Sequence, residues 1–231
     1  MNRFPLGFPR PSTGLLAMAE PEARCVLSVD STNPPSWGAL RFVSNGAIEW
    51  VDDTVLPGAR TFQIFNGDPD LFMVPLPAGD FQAILRCSAL SMTINANSGI
   101  WITSGLTVGA GNHAAVCIDY YSGATRFAAV RLGTNLNSFS SLPVSIRWSS
   151  PENFIRVTRV GANYSAAWSR DGILWTPENA FTPVSPTYIG LGLFHANAAS
   201  SQMFAVYSFK IYAPTAPDAV MKRRVVLGAT L

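Results

Sequence analysis

The 231 residues hold few groups able to do acid–base, nucleophilic or metal chemistry: fourteen Asp and Glu, two histidines and three cysteines. Cleaving a glycosidic bond takes two carboxylates facing one cleft, about 5 to 5.5 Å apart in a retaining mechanism. The best pair is Glu49 and Asp53, within Glu49-Trp50-Val51-Asp52-Asp53. On a regular strand at roughly 3.3 Å per residue they share a face but stand about 13 Å apart, so only a bulge would bring them together. His113 and His195 have no Ser-Asp or Cys-Asn pattern nearby that makes a nucleophilic triad, and are expected to be structural or surface residues. Asp68 and Asp70, in Asn66-Gly67-Asp68-Pro69-Asp70, are candidate oxygen ligands for calcium. Ca²⁺ takes about six to eight oxygens and this run supplies about three, so a polar turn bonded to its own backbone is the favoured reading and no cofactor is expected. There is no phosphate-cradling glycine loop and no dinucleotide fingerprint. These residues predict a protein that is not an enzyme.

Aromatic residues give a second kind of chemistry. Sugars are held by stacking on rings together with amide and hydroxyl contacts, and Trp37, Trp50, Trp101, Tyr120 and Tyr121 lie in or beside predicted strands as candidate carbohydrate contacts. Trp168 and Trp175 flank the Asp171-Gly172 turn, and for each of these two taken singly core or hairpin packing is the stronger expectation than a ligand platform. Cys25, Cys87 and Cys117 cannot all pair within one chain and have no CxxC spacing, which argues against a disulfide framework or a metal cage. Cys87 is in step with Phe81, Ala83, Leu85 and Ala89, so it reads as a small buried thiol on a strand.

The elements that must carry these residues are strands. Hydrophobic residues make up 48% of the chain and charged residues only 13%, about half the usual share, which excludes intrinsic disorder and predicts an uncharged surface rich in hydroxyls and amides. A net charge of +2, with Lys210 and Lys222 the only lysines, provides no basic stripe for nucleic acid. No apolar run approaches the roughly 20 residues of a membrane span. Pro5, Pro9 and Pro11 interrupt a start whose apolar stretch, Leu15 to Ala19, is too short for a signal peptide.

Between residues 25 and 212 short alternating or β-branched runs are broken by turn residues, and no stretch keeps a helical period for three turns. The clearest runs are 39–51, 80–94, 99–108, 114–121, 126–132, 144–148, 154–160, 164–170, 188–195 and 203–212. About ten strands require two sheets or a barrel. Asn45-Gly46 and Asp171-Gly172 are expected to join neighbouring antiparallel strands, because tight hairpins favour residues that accept positive φ. Two arms flank this domain. Residues 1–24 are rich in proline and glycine yet carry Phe4, Leu6 and Phe8, and residues 213–231 run from a linker composition into a basic cluster and Val225-Val226-Leu227. Those apolar side chains are expected to dock on another surface.

The segment from Phe154 to Trp175, FIRVTRVGANYSAAWSRDGILW, followed by Ile189-Gly-Leu-Gly-Leu-Phe194 and Phe204-Ala-Val-Tyr-Ser-Phe-Lys-Ile-Tyr212, resembles the closing strands of the concanavalin A-like lectin/glucanase family. There an R-V-x-R-x-G strand, an S-x-D-G-x-x-W hairpin, a G-L strand and an F-x-x-F-x-I strand follow one another. The likeness covers about 60 residues well and the rest only by compatible strand spacing. It implies an all-β, two-sheet antiparallel jelly-roll sandwich, to which the composition of the two ends adds extended N- and C-terminal arms. The fold hosts lectins, glycosidases, adhesion modules and virion proteins, so it implies no one function.

Low charge, apolar arms at both ends, no export signal and unpaired cysteines together suggest a non-enzymatic structural subunit of a tailed-phage virion. Its expected partners are copies of itself and other virion proteins, with a cell-surface glycan as a ligand for host attachment. The alternatives are a free carbohydrate-binding module or adhesin and, third, a glycoside hydrolase of the same fold.

Overall fold

The computed structural model describes residues 23–43, 48–51, 57–64, 70–91, 96–106, 112–121, 124–133, 140–141, 153–195 and 202–214. They form two antiparallel sheets. One is an eight-stranded sheet in the order β13 (Thr176–Phe181), β12 (Asn163–Ser169), β11 (Asn153–Val160), β6 (Phe81–Ser91), β15 (Gln202–Pro214), β4 (Arg60–Ile64) and β3 (Ile48–Val51), with β1 (Ala23–Asp30) also on β15. The other has seven strands: β10 (Ser140–Ser141), β9 (Ala124–Gly133), β8 (His113–Tyr121), β7 (Ala96–Thr103), β14 (Tyr188–His195), β5 (Asp70–Pro75) and β2 (Arg41–Val43). The arm residues Phe4, Leu6, Phe8, Val225, Val226 and Leu227 lie outside the described residues.

Period-2 alternation sets which side chains enter the space between the sheets. In β11, Ile155 and Val157 are fully buried while Arg156 and Thr158 face the other way. Ala83, Leu85 and Cys87 of β6 and Phe209 and Ile211 of β15 join them, and Ile100, Ile102, Val116, Ile118, Ile189 and Leu191 come from the seven-stranded sheet. Cys87 is therefore a core thiol, as its spacing predicts. The hairpin between β11 and β12 turns at Gly161, whose φ of +61° suits glycine, and Asp80 Oδ1 accepts its N–H at 2.7 Å.

Strands β5, β7, β8 and β14 of the seven-stranded sheet are buried on both faces. Leu71, Met73, Trp101, Ala115, Cys117 and Phe194 form a second apolar cluster on strands whose alternate residues belong to the main core. This explains runs such as Ile100-Trp101-Ile102, which are apolar without a break.

Three sequence expectations are corrected. The run 39–51 is two strands in different sheets, because β2 pairs with β5 and β3 with β4. Asn45-Gly46 therefore connects the sheets and is no hairpin turn between neighbours; its own residues lie outside the described set. Asp171-Gly172 does link antiparallel neighbours, β12 and β13, but as part of a loop running from Ser169 to Thr176.

Candidate functional site

A polar cavity of about 370 Å³ opens on the outer face of the eight-stranded sheet, lined by Asp30, Thr32, Pro57, Gly58, Arg86, Tyr207, Ser208 and Lys210. A bulge makes it. Along β15 the residues that join the core between the sheets are Phe204 and Val206, then Phe209 and Ile211, so the alternation slips by one residue, although Ala205 is buried as well. The pairing with β6 slips at the same place, with Val206 opposite Cys87 and Ser208 opposite Arg86. Tyr207 is the extra residue, and bulges characteristically re-aim a side chain in this way. Its ring sits under the Arg86 guanidinium, 4.8 Å from the Arg86 Cζ to the ring centroid. Phe154 of β11 flanks the same guanidinium at 5.9 Å.

The wall opposite comes from the end of β1. The Tyr207 carbonyl accepts the Ser31 N–H at 3.0 Å, and the Ser31 hydroxyl bonds to the Val206 carbonyl, which pins the chain to the bulge. Asp30 Oδ1 then accepts the Thr32 backbone N–H at 2.9 Å and the Thr32 hydroxyl at 2.7 Å, closing a tight Asx turn. Gly58, at φ +78°, supplies the third side in a turn that a residue with Cβ adopts poorly.

Electrostatically the cavity carries two cations and one anion. The side-chain and backbone bonds from Thr32 hold the Asp30 carboxyl below its ordinary range; desolvation opposes them, and the charges of Lys210 and Arg86 add smaller contributions in the lowering direction. The cavity can thus donate hydrogen bonds from Arg86, Lys210 and Ser208 and offers the Tyr207 ring for stacking.

Farther along the same face, Arg156 lies over the indole of Trp175 at 4.3 Å. The β12–β13 loop that carries Trp175 is ordered by Asp171, whose Oδ1 accepts the N–H groups of Ile173 at 2.8 Å and Leu174 at 2.9 Å. Ser169 braces the carboxylate at 2.9 Å and accepts the Gly172 N–H at 2.9 Å.

The candidate carbohydrate contacts expected from sequence are not brought together. Trp37, in the 3-10 turn Pro34–Ala39, is 7% exposed and packs between the sheets against Phe62 and Phe72, with Arg60 over its ring. Trp101 is fully buried on the other face of the seven-stranded sheet, stacked on His113. Trp50 is in β3, while Tyr120 and Tyr121 end β8 in the opposite sheet. Asp70 begins β5 and is fully buried, whereas Asp68 lies outside the described residues, as does Asp53. Among the described residues no cluster of three or more His, Cys, Asp or Glu could hold a metal. A second cavity, of about 170 Å³, is lined by His113, Asn112, Leu132, Gly133, Thr182, Pro183 and Val184 and carries no carboxylate.

Arg86, Tyr207 and Lys210 went unrecognised in sequence as site residues. Their signal was the slip from Phe204/Val206 to Phe209/Ile211, which marks a bulge at Tyr207.

Compared by sequence, the chain matches no family model and no curated protein. Solved structures resemble it in fold. The GH43 protein BlXynB of Bacillus licheniformis is 11% identical, with a TM-score of 0.57 over 71% of this chain and 34% of its own. A functionally unknown protein from Saccharomyces cerevisiae is 12% identical, with a TM-score of 0.54 over 78% of this chain and 98% of its own. Peanut lectin, solved with a nonapeptide, is 14% identical, with a TM-score of 0.52 over 83% of this chain and 97% of its own. This chain thus spans about a third of the GH43 protein's length. The domain is a lectin/glucanase-like jelly roll, and at these identities the likeness is one of fold.

Proposed function

We propose that this chain is a non-enzymatic binding and assembly domain that takes a glycan in the polar cavity on its eight-stranded sheet. The observation that carries this reading is the bulge at Tyr207, which places an aromatic ring beside Arg86, Lys210, Ser208, Thr32 and Asp30 in one cavity. Ring stacking plus a few convergent polar groups is how a sugar is recognised. The lectin-like fold, shared with peanut lectin, supports the same choice.

Glycosidase chemistry fits the described residues less well. Each described cavity is lined by one carboxylate or none, and the one present, Asp30, already accepts two bonds from Thr32. Binding of the full chain to a glycan array, followed by calorimetry with the best ligand, tests the proposal. Tyr207→Ala should lower affinity about ten-fold or more without unfolding the domain. A ligand bound equally well by Tyr207→Ala, or glycan turnover that Glu49→Gln abolishes, would refute it.

The setting we favour is a virion, with copies of this chain and other virion proteins as partners and a cell-surface glycan as ligand. Its support is the sequence: low charge, and apolar residues such as Phe4 and Leu227 in both arms. Removing residues 1–20 or 215–231 should leave a folded domain that assembles poorly by native mass measurement. Unchanged assembly in both truncations would overturn the assembly part.

A further inference from the structure

We infer that the glycan taken by this cavity is acidic, with a sugar carboxylate seated between Arg86 and Lys210. The inference rests on the proposed glycan-binding role of the same cavity and narrows its substrate class to uronate-type sugars. Of the charged groups lining the cavity, two are cations and one, Asp30, is an anion, so the cavity has a formal charge of +1. A neutral sugar gains nothing from that excess, whereas a carboxylate is matched by it.

The two cations sit in register to act together. Lys210 and Ser208 are two residues apart on β15 and share a face, and Ser208 is directly opposite Arg86 on β6. Arg86 and Lys210 are therefore diagonal neighbours across two paired strands. Tyr207 and Phe154 contact the guanidinium through their rings, while guanidinium N–H donors project within its own plane. A guanidinium can bond both oxygens of a carboxylate through two of its N–H groups, which a lone ammonium cannot.

Asp30 is the element that tunes this preference. Thr32 holds one of its oxygens through two bonds, which fixes the carboxylate at the rim beside Lys210 and Arg86. There it competes with an incoming anion for the same two cations and repels it. The volume, about 370 Å³, is within the range of small-ligand sites and admits one sugar residue with its acid group.

The test is calorimetry of the full chain with three probes: an oligogalacturonate, the same oligomer methyl-esterified, and a sulfated oligosaccharide of equal length. The uronate should bind at least about ten-fold more tightly than its ester, and binding should weaken as salt rises from about 50 to about 500 mM. Lys210→Met and Arg86→Lys should each cost about ten-fold or more for the uronate and clearly less for the ester, because the first removes a cation and in the second a single ammonium does not reproduce the guanidinium's paired donors. Asp30→Asn keeps the acceptor for Thr32 and should tighten uronate binding several-fold. Thermal melting of each variant shows that the fold is kept. Equal binding of uronate and ester would overturn the acidic assignment while leaving the glycan-binding reading standing. Preference for the sulfated probe would overturn the carboxylate. Binding of no saccharide at all would sink both the inference and the reading on which it rests.

Discussion

The indole of Trp101 occupies the space a side chain would need at Gly192. A Cβ placed on Gly192 would stand 2.3 Å from both Cγ and Cδ2 of the ring. The same ring stacks on the imidazole of His113, with centroids 5.2 Å apart and planes 16° from parallel. Three adjacent strands, β14, β7 and β8, are thereby fitted to one another through one residue each.

Gly192→Ala should accordingly destabilise the domain by about 1 to 3 kcal/mol, since a fully buried ring must shift to make room for the methyl. In a Trp101→Leu background the added cost of the methyl should fall below about 1 kcal/mol, because the obstacle is gone. Gly190→Ala serves as the contrast. Its Cβ would meet the Phe72 carbonyl oxygen at 2.0 Å, a backbone clash that Trp101→Leu cannot relieve. Denaturant midpoints of the single and double variants decide the matter, and a Gly192→Ala protein as stable as the parent would show that the ring is not held.

His113 makes stability depend on pH. Burial pushes its pKa from the ordinary 6.5 down to about 4, so the folded protein keeps the imidazole neutral where an unfolded chain would protonate it. Protons bind the unfolded state more readily, and stability should fall as pH drops from about 6.5 to about 4. The expected loss is on the order of 2 to 3 kcal/mol, flat above that window. Urea midpoints at pH 7.5, 6 and 4.5 should show this slope in the parent and a shallower one in His113→Gln. Parallel slopes would mean that His113 is not the group responsible.

Sandwich architecture was legible in the sequence because the strands that alternate, such as β11 and β6, obey a period of two with polar residues between. Strands β4 and β5 were not recognised: Leu71-Phe72-Met73-Val74 is apolar on both faces and lacks that period, and β4 is short. Strands β2 and β3 merged into one run because nothing local distinguishes a turn within a sheet from a crossing between sheets. The aromatic candidates illustrate the same difficulty. A tryptophan's type does not reveal whether its strand face is covered, and Trp37 and Trp101 are both in buried clusters. Arg86, Tyr207 and Lys210 come together only through pairing between distant strands.

Trp175 is partly exposed and lies beneath Arg156, so its contribution is that of a surface cation–π pair. Trp175→Ala should cost about 1 kcal/mol, well under the roughly 3 to 5 expected of a core tryptophan. A double-mutant cycle with Arg156→Ala should give a coupling of about 0.5 to 1 kcal/mol. A loss of core size would place the ring in the packed interior in solution.

Beside that pair, Ile173 and Leu174 are 77% and 76% exposed at the tip of the β12–β13 loop. Since neither buries much surface in the single chain, Ile173→Ser and Leu174→Ser should each change stability by no more than about 0.5 kcal/mol. Asp171 should behave differently despite being exposed, because its carboxylate is the acceptor for both backbone N–H groups of the tip. Those bonds hold its pKa below the ordinary value, so the ordering they provide persists above the usual carboxylate range and is lost as pH falls through the lowered pKa. Asp171→Asn preserves the acceptor oxygen and should keep amide exchange at 173 and 174 slow. Asp171→Ala removes the acceptor and should make both amides exchange fast at neutral pH. If the Ala variant protects these amides as well as the parent does, the loop is ordered by something other than this carboxylate, and the stacking of Trp175 under Arg156 is the contact left to hold it.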